Sequence, residues 1–168
     1  MTKYLIIFCV FFSSQFHAQL DSVKYEKMLL KYYSDFPRIN PIELKRILKA
    51  NENLILLDVR ESNEYNVSHL PNALHFGYET KNWLLVDNLP KDTPVIVYCS
   101  IGARSQVVGE ELLKKGFSNV RNLHGGIFLW SNSDFLLIDS NGHPTSKIHG
   151  YDQTWGKWII DKDKIVYE

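Results

Sequence analysis

Apolar residues come in two dense runs near the middle of the chain. NENLILLDVRE (51–61) and PVIVYC (94–99) are each continuous apolar stretches bounded by polar residues or a turn. A strand buried on both faces has this pattern, whereas a strand with one wet face alternates. Around these runs, helical spacing takes over. Asn40, Pro41 and Glu43 form a helix start: an N-cap side chain, a proline at the first helical position and an acid in the first turn. Leu44, Ile47 and Leu48 supply that helix's apolar face. Residues 61–66 predict a short helix, and residues 80–88 another. RSQVVGEELLKK (104–115) predicts a longer helix with Val108 and Leu112 on one face, lysines in its last turn and Gly116 as its stop. ALHF (73–76) and VRNL (120–123) predict short strands. Upstream, residues 20–36 predict a helix carrying Val23, Met28, Leu29 and Tyr32, which Pro37 ends.

Doubly buried strands that alternate with helices predict an α/β fold on a parallel sheet. In such sheets ligands bind outside the carboxyl ends of the strands. Cys99 closes the second strong strand, which makes it a candidate before any chemistry is considered.

The two ends differ from this middle. The first residues, MTKYLIIFCVFFSSQFHAQ, run from Lys3 through an apolar core, Tyr4 to Phe12, to a polar stretch ending at Ala18. That is the order of a secretory signal peptide, and the core is shorter than the ~20 apolar residues a membrane span needs. The expected organisation is a signal peptide over 1–19, an N-terminal helical segment over 20–39, an α/β domain over 40–130 and a C-terminal extension over 131–168. The mature protein is expected in a periplasm, with full secretion as the alternative, and free of the membrane. In the extension, Asn141–Gly142 lies between extended runs and predicts a hairpin. Trp155 and Trp158 predict that the extension packs on the domain. A wall of the substrate cleft is the sharper alternative.

Composition narrows the chemistry. A hydrophobic fraction of 45% with 23% charged residues belongs to a folded globular chain. Nineteen Lys and Arg balance nineteen Asp and Glu, so no basic excess points to nucleic acid. Export would remove Cys9 and leave Cys99 as the single cysteine, excluding an internal disulfide. A lone thiol in an oxidising compartment must be buried or used. Loss of Lys3 gives 18 minus 19, a formal charge of −1, so any anion binding must be local.

The local feature is CSIGARS (99–105), which runs from a strand end into a helix start. Unpaired N–H groups at a helix start, with the helix dipole, attract an anion. Gly102 lets successive N–H groups face one centre, and Arg104 adds a planar donor fork suited to an oxyanion. Ser105 either donates a hydrogen bond inward or caps the helix. The set suits a nucleophilic thiolate acting on an anionic substrate.

LLDVRESNEY (56–65), SHLPNA (68–73), VIVYCSIGARS (95–105), GFSNVRNLHGG (116–126) and Trp130, in this order, resemble a rhodanese domain over roughly residues 40–130. The resemblance implies a sulfurtransferase with a central parallel sheet of about five strands and helices on both sides; the hairpin-like extension exceeds the usual domain. It implies Cys99 as the carrier of a sulfane sulfur, held as a persulfide and passed to a thiophilic acceptor. Ser100, Ile101, Gly102, Ala103, Arg104 and Ser105 would bind the substrate, and Asp58 and Arg60 would support the loop. The partners would be a small anionic sulfur donor and a thiol or cyanide-like acceptor, a protein thiol included.

Phosphatases related in fold carry a longer gap between cysteine and arginine. Here only Ser100, Ile101, Gly102 and Ala103 intervene, which favours sulfur over phosphate. Ile101 stands where many thiosulfate-active members carry a polar or basic residue. That leaves polysulfides, persulfides and mercaptoacids as donors beside thiosulfate. A rhodanese-like binding or redox-sensing module is the alternative function. No cofactor or metal is expected: His69 and His124 lack partners at metal-ligand spacing and are expected to be structural. His75 is expected to be a strand residue, and His143 and His149 carry no role. Glu61 and Glu64 are expected to form the exposed side and an internal ion pair of their short helix, not an acid/base dyad.

Overall fold

A computed structural model describes residues 23–33, 35–50 and 53–167. The expected signal peptide and Cys9 lie outside the described residues. The chain divides into two compact units, Met1–Tyr32 and Tyr33–Glu168. In the first, residues 23–29 are helical (α1) and a turn follows. Its buried positions are Tyr25, Met28 and Leu29, at spacings of three and one, while Val23 and Tyr32 are exposed.

The second unit is built on five parallel strands in the order β1-β5-β4-β2-β3. These are β1 (Arg38–Ile39), β2 (Ile55–Asp58), β3 (Leu74–His75), β4 (Val95–Tyr98) and β5 (Val120–Leu123). The helices between them are α2 (Pro41–Lys49), α3 (Ser62–Val67), α4 (Ala103–Lys114) and α5 (Gly126–Asn132). Asn40 caps α2 as expected, its side chain accepting the Glu43 N–H at 2.9 Å. All four residues of β4 are buried. Because strand side chains alternate between faces, Val95 and Val97 point opposite to Ile96 and Tyr98, so both faces of the sheet are covered. On the first face, Val95 and Val97 join Leu57, Val59, Val108, Leu112, Phe117 and Cys99 in one apolar cluster.

Register sets the site. Asp58 pairs with both Tyr98 and His75, so β2, β4 and β3 end level. The residues that follow these strands, Cys99 among them, therefore emerge together on the carboxyl edge of the sheet.

Several details depart from expectation. Strand β1 has two residues and takes its place through pairing with Asn122 and Leu123. Helix α5 starts at the Gly125–Gly126 pair, which reads locally as a turn. Within residues 80–88, only Trp83–Leu85 is helical, as a single 3-10 turn.

The expected hairpin is present: β6 (Leu137–Ile138) and β7 (Pro144–Thr145) pair antiparallel around Asn141–Gly142. His69 and Ile138 exchange both backbone hydrogen bonds, each 2.9 Å, and tie the hairpin to the domain. Beyond it, β8 (Ile148–His149) pairs with β9 (Ile165–Val166), with the short helix α6 (Gln153–Gly156) between them. The Asn132 side chain joins the extension to α5, donating to the Trp158 carbonyl and accepting from the Ile160 N–H. No helix among the described residues is long and apolar enough to cross a membrane.

Candidate active site

Cys99 follows β4 directly, with 1% of its surface exposed. From Cys99 to Gly102 the backbone curls before α4 begins, and every carbonyl in the curl is engaged from outside. Cys99 C=O accepts from Ile127 N–H at 2.9 Å and Ser100 C=O from Phe128 N–H at 3.1 Å. Ile101 C=O accepts from the Tyr33 hydroxyl at 2.6 Å. Gly102 C=O accepts from Gln106 N–H and from the Asn122 side-chain amide at 2.8 Å. With the oxygens held from outside, Gly102 N–H lies 3.1 Å from Cys99 Sγ. The curl needs φ of 103° at Gly102, where any Cβ would run into the Tyr33 ring. The result is a backbone anion nest above a thiol at a helix start.

The loop's only cation is not free. Arg104 forms a bidentate pair with Glu64 of α3, at 2.7 and 2.8 Å. Ser100 completes the knot: its hydroxyl accepts from Arg104 at 3.0 Å and donates to Glu64 at 3.1 Å. Burial by itself would raise the Glu64 pKa, but the hydrogen bonds and charge of Arg104, aided by Arg60, hold it below its ordinary value. Burial would likewise lower the Arg104 pKa, and the Glu64 hydrogen bonds hold it raised. Glu64 is 2% exposed, so the expectation of an exposed Glu64 is corrected: it is the counterion beneath the loop. Glu61 keeps a capping role, since its backbone N–H donates to Glu64 at 3.1 Å.

A family model for the rhodanese-like domain matches residues 40–133. The chain belongs to the rhodanese-like domain family. Thiosulfate sulfurtransferase GlpE of Coxiella burnetii is 32% identical over 111 residues, 66% of this chain and 94% of that protein. The adenylyltransferase and sulfurtransferase UBA4 of Candida albicans is 29% identical over 102 residues, which span 56% of this chain but only 23% of UBA4. The solution structure of the rhodanese-like domain of Alr3790 from Anabaena superposes with a TM-score of 0.56 at 25% identity, over 61% of this chain and 79% of that one.

Within this rhodanese-like domain, the expected site residues do not all face the thiol. Ile101 is buried and contributes its backbone to the nest rather than a side chain to a substrate. Ser105 is fully buried, and its hydroxyl donates to Asn122 at 2.8 Å, away from the sulfur. Its role is to orient Asn122, which in turn holds Gly102. Ala103 opens α4. Asp58 and Arg60 form a fully buried ion pair of 2.6 Å, and Arg60 also donates to the Ser68 carbonyl. Their support of the loop is indirect: they pin the segment from β2 to the end of α3, and α3 carries Glu64.

Three contributors escaped the sequence reading. Tyr33 accepts from Gly125 N–H at 2.7 Å while donating to Ile101, so one hydroxyl joins the loops after β4 and β5. Gly126 lets α5 approach, since a Cβ there would lie 2.3 Å from the Cys99 oxygen. Tyr151, in the extension, lays its ring over Arg104 with the guanidinium carbon 4.9 Å from the ring centre. The extension thus reaches Arg104 through Tyr151. Beside Tyr151, the His149 imidazole is 3% exposed and accepts the Tyr151 N–H on Nδ1 at 3.0 Å. Its Nε2 lies 3.5 Å from the Asn63 Nδ2 of α3. Burial, with Arg60 and Arg104 nearby, pushes the His149 pKa below its ordinary value. His69 stacks on Tyr65 and bonds its carbonyl, and His75 lies in β3 and bonds the Arg60 carbonyl. No group of three or more His, Cys, Asp or Glu among the described residues is arranged to hold a metal.

Proposed function

We propose that this chain is a sulfurtransferase that carries sulfane sulfur as a persulfide on Cys99. The observation that carries the reading is the loop after β4: carbonyls engaged by outside donors, the Gly102 N–H on the sulfur and a thiol beside a helix start. In the first half-reaction the Cys99 thiolate attacks the outer sulfur of a donor R–S–SH. The bond between the two donor sulfurs breaks, R–S⁻ leaves with its electron pair, and Cys99 holds S–SH. In the second, an acceptor thiolate attacks that outer sulfur, takes it with its proton, and frees the Cys99 thiolate. Backbone N–H donation to the sulfur stabilises negative charge on it in both steps. Incubation with thiosulfate, inorganic polysulfide or glutathione persulfide, followed by intact mass, tests this. One added sulfur on wild type and none on Cys99→Ser is expected; no adduct from any donor overturns it.

The apolar segment from Tyr4 to Phe12 supports export, and the reaction would then run in a periplasm. The N-terminal residue of the protein recovered from fractionated cells checks this. A second reading, a binding or redox-sensing module, draws on the near-complete burial of Cys99. Repeated turnover with a thiol acceptor excludes it.

A further inference from the structure

The C-terminal extension lies beyond the matched domain, which ends at residue 133. It nonetheless reaches the loop that holds Cys99. Tyr151 sits at φ 65°, in the left-handed region that side chains other than glycine's rarely adopt. Strain of this kind persists only where the surroundings over-determine it, and it concentrates at functional sites. Here two neighbours fix it: Gly150 N–H donates to the Val166 carbonyl at 2.8 Å, and Tyr151 N–H donates to His149. The ring they position covers one face of the Arg104 guanidinium. Arg104 already gives one hydrogen bond from Nη1 and one from Nη2 to Glu64, and a second from Nη2 to Ser100. The cation of the Cys99 loop is thus paired with a carboxylate and has an aromatic ring beside it, while Tyr151 itself stays 48% exposed.

This has a consequence for what approaches the thiol. An inorganic dianion such as thiosulfate gains most from an open guanidinium and nothing from an aromatic wall. A sulfur compound with an organic group can pack that group on the ring. We infer that Tyr151 is a specificity-determining residue that biases the Cys99 site toward organic sulfur compounds, such as low-molecular-weight persulfides, and against small inorganic dianions. The inference rests on the proposed sulfur transfer for its substrate class, and on geometry alone for the role of the ring.

The test uses the full chain and two variants. Tyr151→Gly removes the ring at a backbone position where glycine is unstrained, so the fold is retained. Tyr151→Phe keeps the ring. Sulfur loading of Cys99 is followed with thiosulfate and with glutathione persulfide, and alkylation of Cys99 with iodoacetate and with iodoacetamide. Tyr151→Gly should lower KM for thiosulfate and raise KM for glutathione persulfide, each about fivefold, the scale of one exposed cation–π contact. It should shift the iodoacetate-to-iodoacetamide rate ratio toward the anion by a similar factor, and Tyr151→Phe should match wild type in every assay. Equal changes for both donors, or an unchanged alkylation ratio, overturn the inference. If wild type takes sulfur from neither donor nor from inorganic polysulfide, the sulfurtransferase reading fails, and the alkylation ratio still decides the role of Tyr151.

Discussion

Removing the Glu64 carboxylate tests the support beneath the loop. Its two oxygens accept from both Arg104 terminal nitrogens, from the Ser100 hydroxyl and from Glu61 N–H. Glu64→Ala leaves the Arg104 charge, on a side chain only 18% exposed, without its counterion. Breaking a fully buried pair costs ~3–5 kcal/mol, and the partial access of Arg104 to water brings the expectation to the low end, ~3 kcal/mol. In a domain of this size that is a fall in Tm of roughly 6–12 °C. Thermal unfolding by circular dichroism at neutral pH reads it. A double variant, Glu64→Ala with Arg104→Met, should recover part of the loss, because it removes the stranded charge together with its partner. The pH dependence adds a sign. The folded Glu64 pKa is lowered, so the pair's stabilisation is complete above the unfolded carboxyl value and is lost as pH falls through the folded one. Glu64→Gln should flatten stability in that acidic window. A Glu64→Ala protein within ~2 °C of wild type, or a double variant no better than the single one, would refute the reasoning.

Other residues make separate predictions. Tyr33→Phe strips the hydroxyl that joins Ile101 and Gly125; it should cost ~1–3 kcal/mol and speed amide exchange across residues 99–102, and unchanged exchange removes Tyr33 as a buttress. Gly126→Ala places a Cβ 2.3 Å from the Cys99 carbonyl oxygen at a φ of 57°; a marked loss of Tm is expected, and a variant as stable as wild type contradicts the close approach. The folded His149 pKa lies below its ordinary value of 6.5. Its contribution to stability is therefore complete above that value and is lost as pH falls through the folded one. His149→Gln should reduce the loss of stability below neutral pH, and an identical pH profile argues against it.

The sheet was legible because its central strands are apolar on both faces, a pattern that a one-sided strand or a surface loop does not produce. The runs at 51–61 and 94–99 could be marked as buried strands for that reason. Strand β1 was not, because two residues carry no period and owe their conformation to pairing with β5. Cys99, Gly102 and Arg104 were legible as a loop between a strand end and a helix start. What Arg104 binds was not, since Glu64 lies 40 positions away and looks like any carboxylate on a short helix. The same holds for Tyr33 and Tyr151: both reach the loop from outside the matched domain, and no local spacing marks them. Ser105 was read as donating inward to a substrate or capping the helix, yet its hydroxyl donates to Asn122.

The central claim is that Cys99 holds sulfur within a nest of backbone N–H groups. Its most direct measurement is the intact mass of the full chain after exposure to a sulfane donor, followed by a thiol acceptor. The account predicts one added sulfur, localised to the peptide containing Cys99, lost on addition of the thiol and absent from Cys99→Ser. A wild-type protein that gains no sulfur from thiosulfate, polysulfide or an organic persulfide would contradict it.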